Sequence, residues 1–176
     1  PLPPSAEGRS YLLELFHGPT AAFKDFGARF LAACLARLRT REDPLRTVLV
    51  ATSGDTGGAV ASGFLGVEGV KVVILYPSNK VSEVQEKQLT TLGQNITALE
   101  VNGTFDDCQA MVKNAFMDHE INDSMKLTSA NSINVARWLP QMFYFAFAYR
   151  QLEDKRKKLA VAVPSGNFGN ICAGMR

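Results

Sequence analysis

The 176 residues suffice for one compact domain, and a hydrophobic content of 46% excludes a disordered chain. Nineteen Lys and Arg against seventeen Asp and Glu leave a formal net charge of +2 spread along the sequence, so charge offers no case for nucleic acid or anionic lipid as a partner. The three cysteines, Cys34, Cys108 and Cys172, stand far apart among apolar neighbours, with no CxxC or Cys/His cluster; they read as reduced core thiols and offer no metal site.

The first periodic segment is Phe23, Phe26, Phe30, Leu31, Cys34, Leu35 and Leu38, the i, i+3, i+4 rhythm of an amphipathic helix that must stop before Pro44. Thr47 to Ala51 is a short β-branched run, followed by a helical pattern from Gly58 to Leu65. The alternation repeats with a strand at Val70 to Leu75, a helix at Ser82 to Leu92, a strand at Ile96 to Val101 and a helix at Phe105 to Met117. A long helix is expected from Val135 to Leu152 and a last strand from Leu159 to Val163. Strand alternating with helix at this spacing predicts an α/β fold, a parallel sheet with helices on both faces. The charged run from Asp154 to Lys158 reads as a solvated loop. The longest apolar stretch, around Phe143 to Ala148, is too short to span a bilayer, and Pro1-Leu2-Pro3-Pro4 lacks the regions of a signal peptide. A soluble, cytoplasmic protein is expected. The last strand leads into a turn that opens a new helix with six residues remaining after Asn170, so the sequence reads as part of a longer polypeptide.

Four segments carry chemistry-bearing residues. TSGDTGG, Thr52 to Gly58, lies between a strand and a helix, where glycines permit a tight turn and the helix N-terminus favours an anion; the alternative is a turn whose Ser53 and Asp55 cap the helix. PSGNFGN, Pro164 to Asn170, again follows an apolar strand, with Gly166 and Gly169 leaving the backbone open to phosphate oxygens. Two such loops at carboxyl ends of strands suggest one crevice. In FHGPTAAFKDFGARF, Phe16 to Phe30, Lys24 follows Phe23 and shares its helix face with Gly27 and Ala28, which leave space beside it. Such a lysine is either a solvated charge or, lodged in an apolar site, a neutral amine able to condense with an aldehyde. Asp25 is expected to solvate or cap. In NSINVAR, Asn131 to Arg137, amide, hydroxyl and guanidinium groups gather at a helix start. Asn131 reads equally as an N-cap, and Arg137 as a rim charge or a bidentate phosphate ligand. His17 and His119 have no partners at catalytic spacing, and no GxSxG elbow occurs.

In order and wording, the four segments resemble the threonine synthase family, pyridoxal-phosphate enzymes of the tryptophan-synthase-β-like fold (fold type II), here incomplete. The likeness runs from about Tyr11 to Ile171. It implies that Lys24 holds pyridoxal 5'-phosphate as a Schiff base and shuttles protons as the free amine, with Phe23 and Asp55 beside the cofactor. Gly166, Asn167, Phe168, Gly169 and Asn170 would wrap the cofactor phosphate. Ser53 and Thr56 would hold the substrate carboxylate, and Asn131, Ser132 and Arg137 the phosphate of O-phospho-L-homoserine. Asp55 stands where relatives with an SGNTG loop place an asparagine near the cofactor's 3′ oxygen; an ionised carboxylate cannot donate a hydrogen bond there, although an aspartate is usual in one branch of the family. The implied reaction takes O-phospho-L-homoserine and water to L-threonine and phosphate. By the same likeness, residues 1–24 form the edge of a large domain, 25–154 a small α/β domain, and 155–176 the start of the large domain again. Three rivals remain: a phospho-lyase acting on a related phosphorylated amino acid, a dehydratase or cysteine-synthase-like enzyme, and a non-catalytic interaction fragment.

Overall fold

A computed structural model describes residues 10–156 and 158–175. Its centre is a four-stranded parallel sheet built from β1 (Arg46–Ala51), β2 (Val70–Pro77), β3 (Ile96–Val101) and β4 (Leu127–Ser129), in the order β3-β2-β1-β4. β1 is buried from Thr47 to Ala51 with no polar alternation, as a central strand covered on both faces must be. β3 lies at an edge and exposes Thr97, Leu99 and Glu100.

The pleat sorts the core into two layers. Val48, Val50, Val72 and Ile74 face α1 (Lys24–Leu38), α2 (Asp55–Phe64) and α3 (Glu83–Thr90), packing with Ala28, Leu31, Val60, Phe64 and Leu89. Leu49, Ala51 and Leu75 face the other way, onto Cys108 and Val112 of α4 (Phe105–Met117). Helices thus cover both faces. α1 and α2 approach closely at Gly63, where an added Cβ would lie 3.2 Å from the Arg29 nitrogen, so a larger residue there would push the two helices apart. α3 and α4 both start on capping boxes, Ser82 with Gln85 and Thr104 with Asp107, which satisfy otherwise orphaned N–H groups.

Several expectations need correction. A short helix, α5 (His119–Met125), capped by Asp118, feeds through the left-handed Lys126 into β4; neither element is long enough to show a period. The expected helix from Val135 to Leu152 is interrupted: α6 (Val135–Trp138) gives way to a 3-10 turn at Leu139–Gln141 before α7 (Met142–Arg150). Pro140 is the cause, since it lacks an N–H to continue the ladder. α2 begins at Asp55 rather than Gly58, its acidic first turn complementing the helix dipole. The stretch from Leu159 to Val163 forms no strand, pairs with no described strand and is largely exposed. A strand is defined by its partner, and apolar composition alone does not supply one. The chain then enters α8 (Gly169–Gly174). All three cysteines are free; Cys108 is buried as expected, whereas Cys172 is exposed. Among the described residues no helix is long and apolar enough to cross a membrane, and no cluster of side chains could hold a metal.

Candidate functional site

The site begins where β1 ends. Thr52, only 1% exposed, accepts through Oγ1 from the N–H groups of Gly54 (3.0 Å) and Gly57 (2.8 Å) and donates to the Gly54 carbonyl. One buried hydroxyl therefore folds the loop and caps the start of α2 from the inside. Gly54 has φ +145°, where side chains are strained, and an added Cβ would sit 2.5 Å from Gln85. Ser53 and Asp55 are exposed on this turn and Thr56 is half-buried, so the three face outward at the N-terminus of α2.

Lys24 opens α1 with its side chain 19% exposed. Its Nζ lies 3.4 Å from Asp55 Oδ2 and 5.4 Å from the centre of the Phe23 ring. The amine thus has an apolar and a carboxylate neighbour, an environment between the solvated charge and the apolar lodging that the sequence left open. Asp55 serves as acceptor on both sides, its Oδ1 taking a 2.8 Å bond from Gln85 Nε2. The room left by Gly27 is filled by protein: an added Cβ would fall 2.2 Å from the Arg137 carbonyl oxygen, so this glycine admits α6.

The backbone around Lys24 is held on both sides. Tyr144 donates its hydroxyl to the Phe23 carbonyl at 2.7 Å, and burial pushes its pKa up to about 12, with the Asp25 charge acting in the same direction. Asp25 is buried rather than solvated, and accepts from the backbone N–H of Thr20 (2.9 Å) and from its hydroxyl. That pairing ties the Gly18–Ala21 turn to the first turn of α1.

The NSINVAR segment lies against the other side of β1. Asn131 is no helix cap: its amide donates to the Ala51 carbonyl (2.8 Å) and accepts the Ala51 N–H (3.2 Å), locking the last residue of the strand. The cap of α6 is Asn134, which accepts from the Ala136 N–H at 3.1 Å. Arg137, read as a rim charge or a phosphate ligand, is 1% exposed. Its guanidinium donates to the Ala130 carbonyl (2.8 Å), its Nε has no hydrogen-bond partner, and burial pulls its pKa down to about 10 against the opposing pull of Asp25. As placed, Arg137 is almost wholly buried, with one guanidinium nitrogen committed to the backbone.

In PSGNFGN, Ser165 and Asn170 bond to each other across the turn, and Ser165 Oγ accepts the Phe168 N–H at 3.0 Å. Asn170 also donates to the Pro164 carbonyl (3.0 Å) and receives the Ile171 N–H (3.0 Å), so its side chain shapes the loop. Phe168 takes a left-handed conformation, φ 57°, immediately before α8. Gly166 and Asn167 are exposed, and a Cβ at Gly166 would meet nothing within 4 Å, leaving that backbone edge open to approach. Gly169 packs on Ser132, whose Oγ would lie 3.1 Å from an added Cβ.

Contacts therefore link all four segments: Lys24 to Asp55, Asn131 to Ala51 beside Thr52, and Ser132 to Gly169. A primary amine beside the exposed start of α2 and a backbone edge left open at Gly166 fit an aldehyde that carries a phosphate. A cavity of about 620 Å³ lies elsewhere along α1, against Gly18, Phe26, Phe30 and Tyr144, and none of the expected site residues lines it. Thr52, Gln85 and Tyr144 were not anticipated. Thr52 had a signal as the first residue of its motif and Gln85 as the fourth of a Ser-x-x-Gln box; Tyr144, 121 residues from its partner, had none.

The family model for pyridoxal-phosphate dependent enzymes matches residues 4–176. The chain is 53% identical over 166 residues to the threonine synthase of Buchnera aphidicola subsp. Acyrthosiphon pisum and 54% identical over 164 residues to that of Escherichia coli K12. The two alignments cover 94% and 93% of this chain and 38% of each relative. A crystal structure of the Escherichia coli threonine synthase matches with a TM-score of 0.89 and 51% identity, over 99% of this chain and 41% of that one. The structure of PLP-bound threonine synthase from Brucella melitensis matches with a TM-score of 0.86 and 41% identity, over 99% and 38%. The chain thus spans well under half the length of these relatives.

Proposed function

This chain belongs to the pyridoxal-phosphate-dependent enzyme family, and from that premise we propose that it is the cofactor-bearing part of a cytoplasmic threonine synthase that converts O-phospho-L-homoserine and water to L-threonine and phosphate. The observation that carries the reading is the joining of Lys24, the TSGDTGG turn, NSIN and the PSGNFGN loop into one zone at strand ends. The identity to threonine synthases over nearly the whole chain supports it.

In this reading Lys24 Nζ holds the cofactor aldehyde, and Phe23 and Asp55 lie against it. The open backbone of Gly166 and Asn167, with Phe168, Gly169 and Asn170 shaping the turn, receives the cofactor phosphate. When bound, the cofactor ring supplies a sink for electrons released at the substrate α carbon. Ser53 and Thr56 hold the substrate carboxylate at the start of α2, where the helix dipole favours an anion. Lys24 Nζ, freed by the substrate amine, takes the α proton and returns it later. Asn131, Ser132 and Arg137 hold the substrate phosphate, Arg137 from a largely buried position. Holding a phosphate remote from the first bond broken orients the α proton toward Lys24. Residues 1–24 and 155–176 are assigned to a large domain and 25–154 to a small one.

The test is a visible absorbance spectrum of the full-length parent with added pyridoxal phosphate, with and without Lys24→Ala, followed by O-phosphohomoserine. A Lys24-dependent band with phosphate release and threonine formation is the expected result. Phosphate release without threonine would favour the phospho-lyase, turnover of unphosphorylated serine the dehydratase, and a parent with no Lys24-dependent band would overturn the cofactor assignment.

A further inference from the structure

Gln85 has two jobs that a single amide can do at once. Its Oε1 accepts the Ser82 N–H (3.2 Å) and the Ser82 hydroxyl (3.0 Å), closing the capping box of α3. Its Nε2 donates to Asp55 Oδ1 at 2.8 Å, 30 residues away in sequence. The other oxygen of the same carboxylate faces Lys24 Nζ at 3.4 Å. The amide has one sense only: turned over, it would set its oxygen against a carboxylate and its NH₂ against an N–H. Gly54 presses on the same side chain, since a Cβ there would lie 2.5 Å from Gln85 Nε2. The Asp55 side chain is 51% exposed and would otherwise turn into water. The cap alone does not explain the residue, because glutamate serves a capping box as well as glutamine does.

We infer that Gln85 is a positioning residue, which pins one oxygen of Asp55 so that the other is presented to the Lys24 amine, and so ties the cofactor lysine to the start of α3. The inference rests on the role proposed above for Lys24. Three helices meet in this line of bonds: α3 through Gln85, α2 through Asp55 and α1 through Lys24. Of the other charged groups at the start of α3, Glu83 is paired to Lys87.

The experiment uses the full-length parent and reads two quantities, the dissociation constant for pyridoxal phosphate from the Lys24-dependent absorbance band and the melting midpoint of the cofactor-free protein. Gln85→Glu keeps the cap but sets a second carboxylate against Asp55, which then swings away. The expected result is an unchanged melting midpoint with cofactor binding weakened about tenfold, the scale of one hydrogen bond to a charged group. Gln85→Met, which adds no charge, should also weaken binding, here with a lower midpoint because the cap is gone. In an Asp55→Asn background the new amide can donate to a glutamate at position 85, so adding Gln85→Glu to Asp55→Asn should weaken binding no further. The inference is overturned if Gln85→Glu binds cofactor like the parent, or if it weakens binding as much in the Asp55→Asn background as in the parent. A parent without a Lys24-dependent band overturns the reading of Lys24 itself, and this inference with it.

Discussion

Replacing Thr52 by valine keeps the shape of the side chain and removes only its oxygen. In the folded protein that oxygen accepts from two N–H groups, those of Gly54 and Gly57, and both residues are buried. Water cannot take its place, so each donor is left unsatisfied at a cost of about 1–3 kcal/mol, and the variant should lose about 2–6 kcal/mol in all. Thr52→Ser retains the hydroxyl and gives up a methyl packed against Gly57, a loss of about 1 kcal/mol. Urea unfolding of the full-length parent, followed by circular dichroism, separates the two: the midpoint should fall much further for valine than for serine, at unchanged slope. Because the turn carries Ser53, Asp55 and Thr56, the valine variant should also bind pyridoxal phosphate more weakly. A valine variant as stable as the serine one would refute the assignment of Thr52 as the internal brace of the loop.

Two further outcomes test the frame around the site. Asn131→Asp keeps the acceptor for the Ala51 N–H but loses the donor to the Ala51 carbonyl, and should cost about 1–3 kcal/mol in the same unfolding assay, against little change for an exposed asparagine such as Asn102. For Tyr144 the folded pKa is raised to about 12 from the ordinary 10. The folded state therefore holds the phenolic proton more tightly, and the stability this brings is whole below pH 10 and is lost as pH rises toward 12. Tyr144→Phe should flatten that alkaline limb of the stability profile. It should also loosen the Phe23 carbonyl, read as faster hydrogen exchange at the start of α1; an unchanged limb would show that Tyr144 is not held as described.

Much of the fold and the wording of the site were legible in order along the chain, because the signals are local. β1, β2, β3 and α4 appear where apolar runs and periodicity place them, since side-chain alternation and helical rhythm are properties of neighbouring residues. The turn at Gly54 is written in its motif for the same reason: a tight turn depends on what one or two residues permit. Lys24 could be singled out with these loops because motif order needs no coordinates.

Tertiary structure alone decided the rest. Whether Leu159 to Val163 is a strand depends on a pairing partner, and whether β4 exists depends on β1 lying beside it. Arg137 reads as a surface charge until α1 packs over it, and Asn131 as a cap until its amide meets Ala51, 80 residues away. Likewise the bond of Gln85 to Asp55, and of Asp55 to Lys24, exists only once folding brings the three together. The sequence by itself determined which short segments could turn, cap, alternate or carry an amine. Which of those groups face one another was decided only when folding joined segments 30 to 121 residues apart, because hydrogen bonding and burial depend on distance in space.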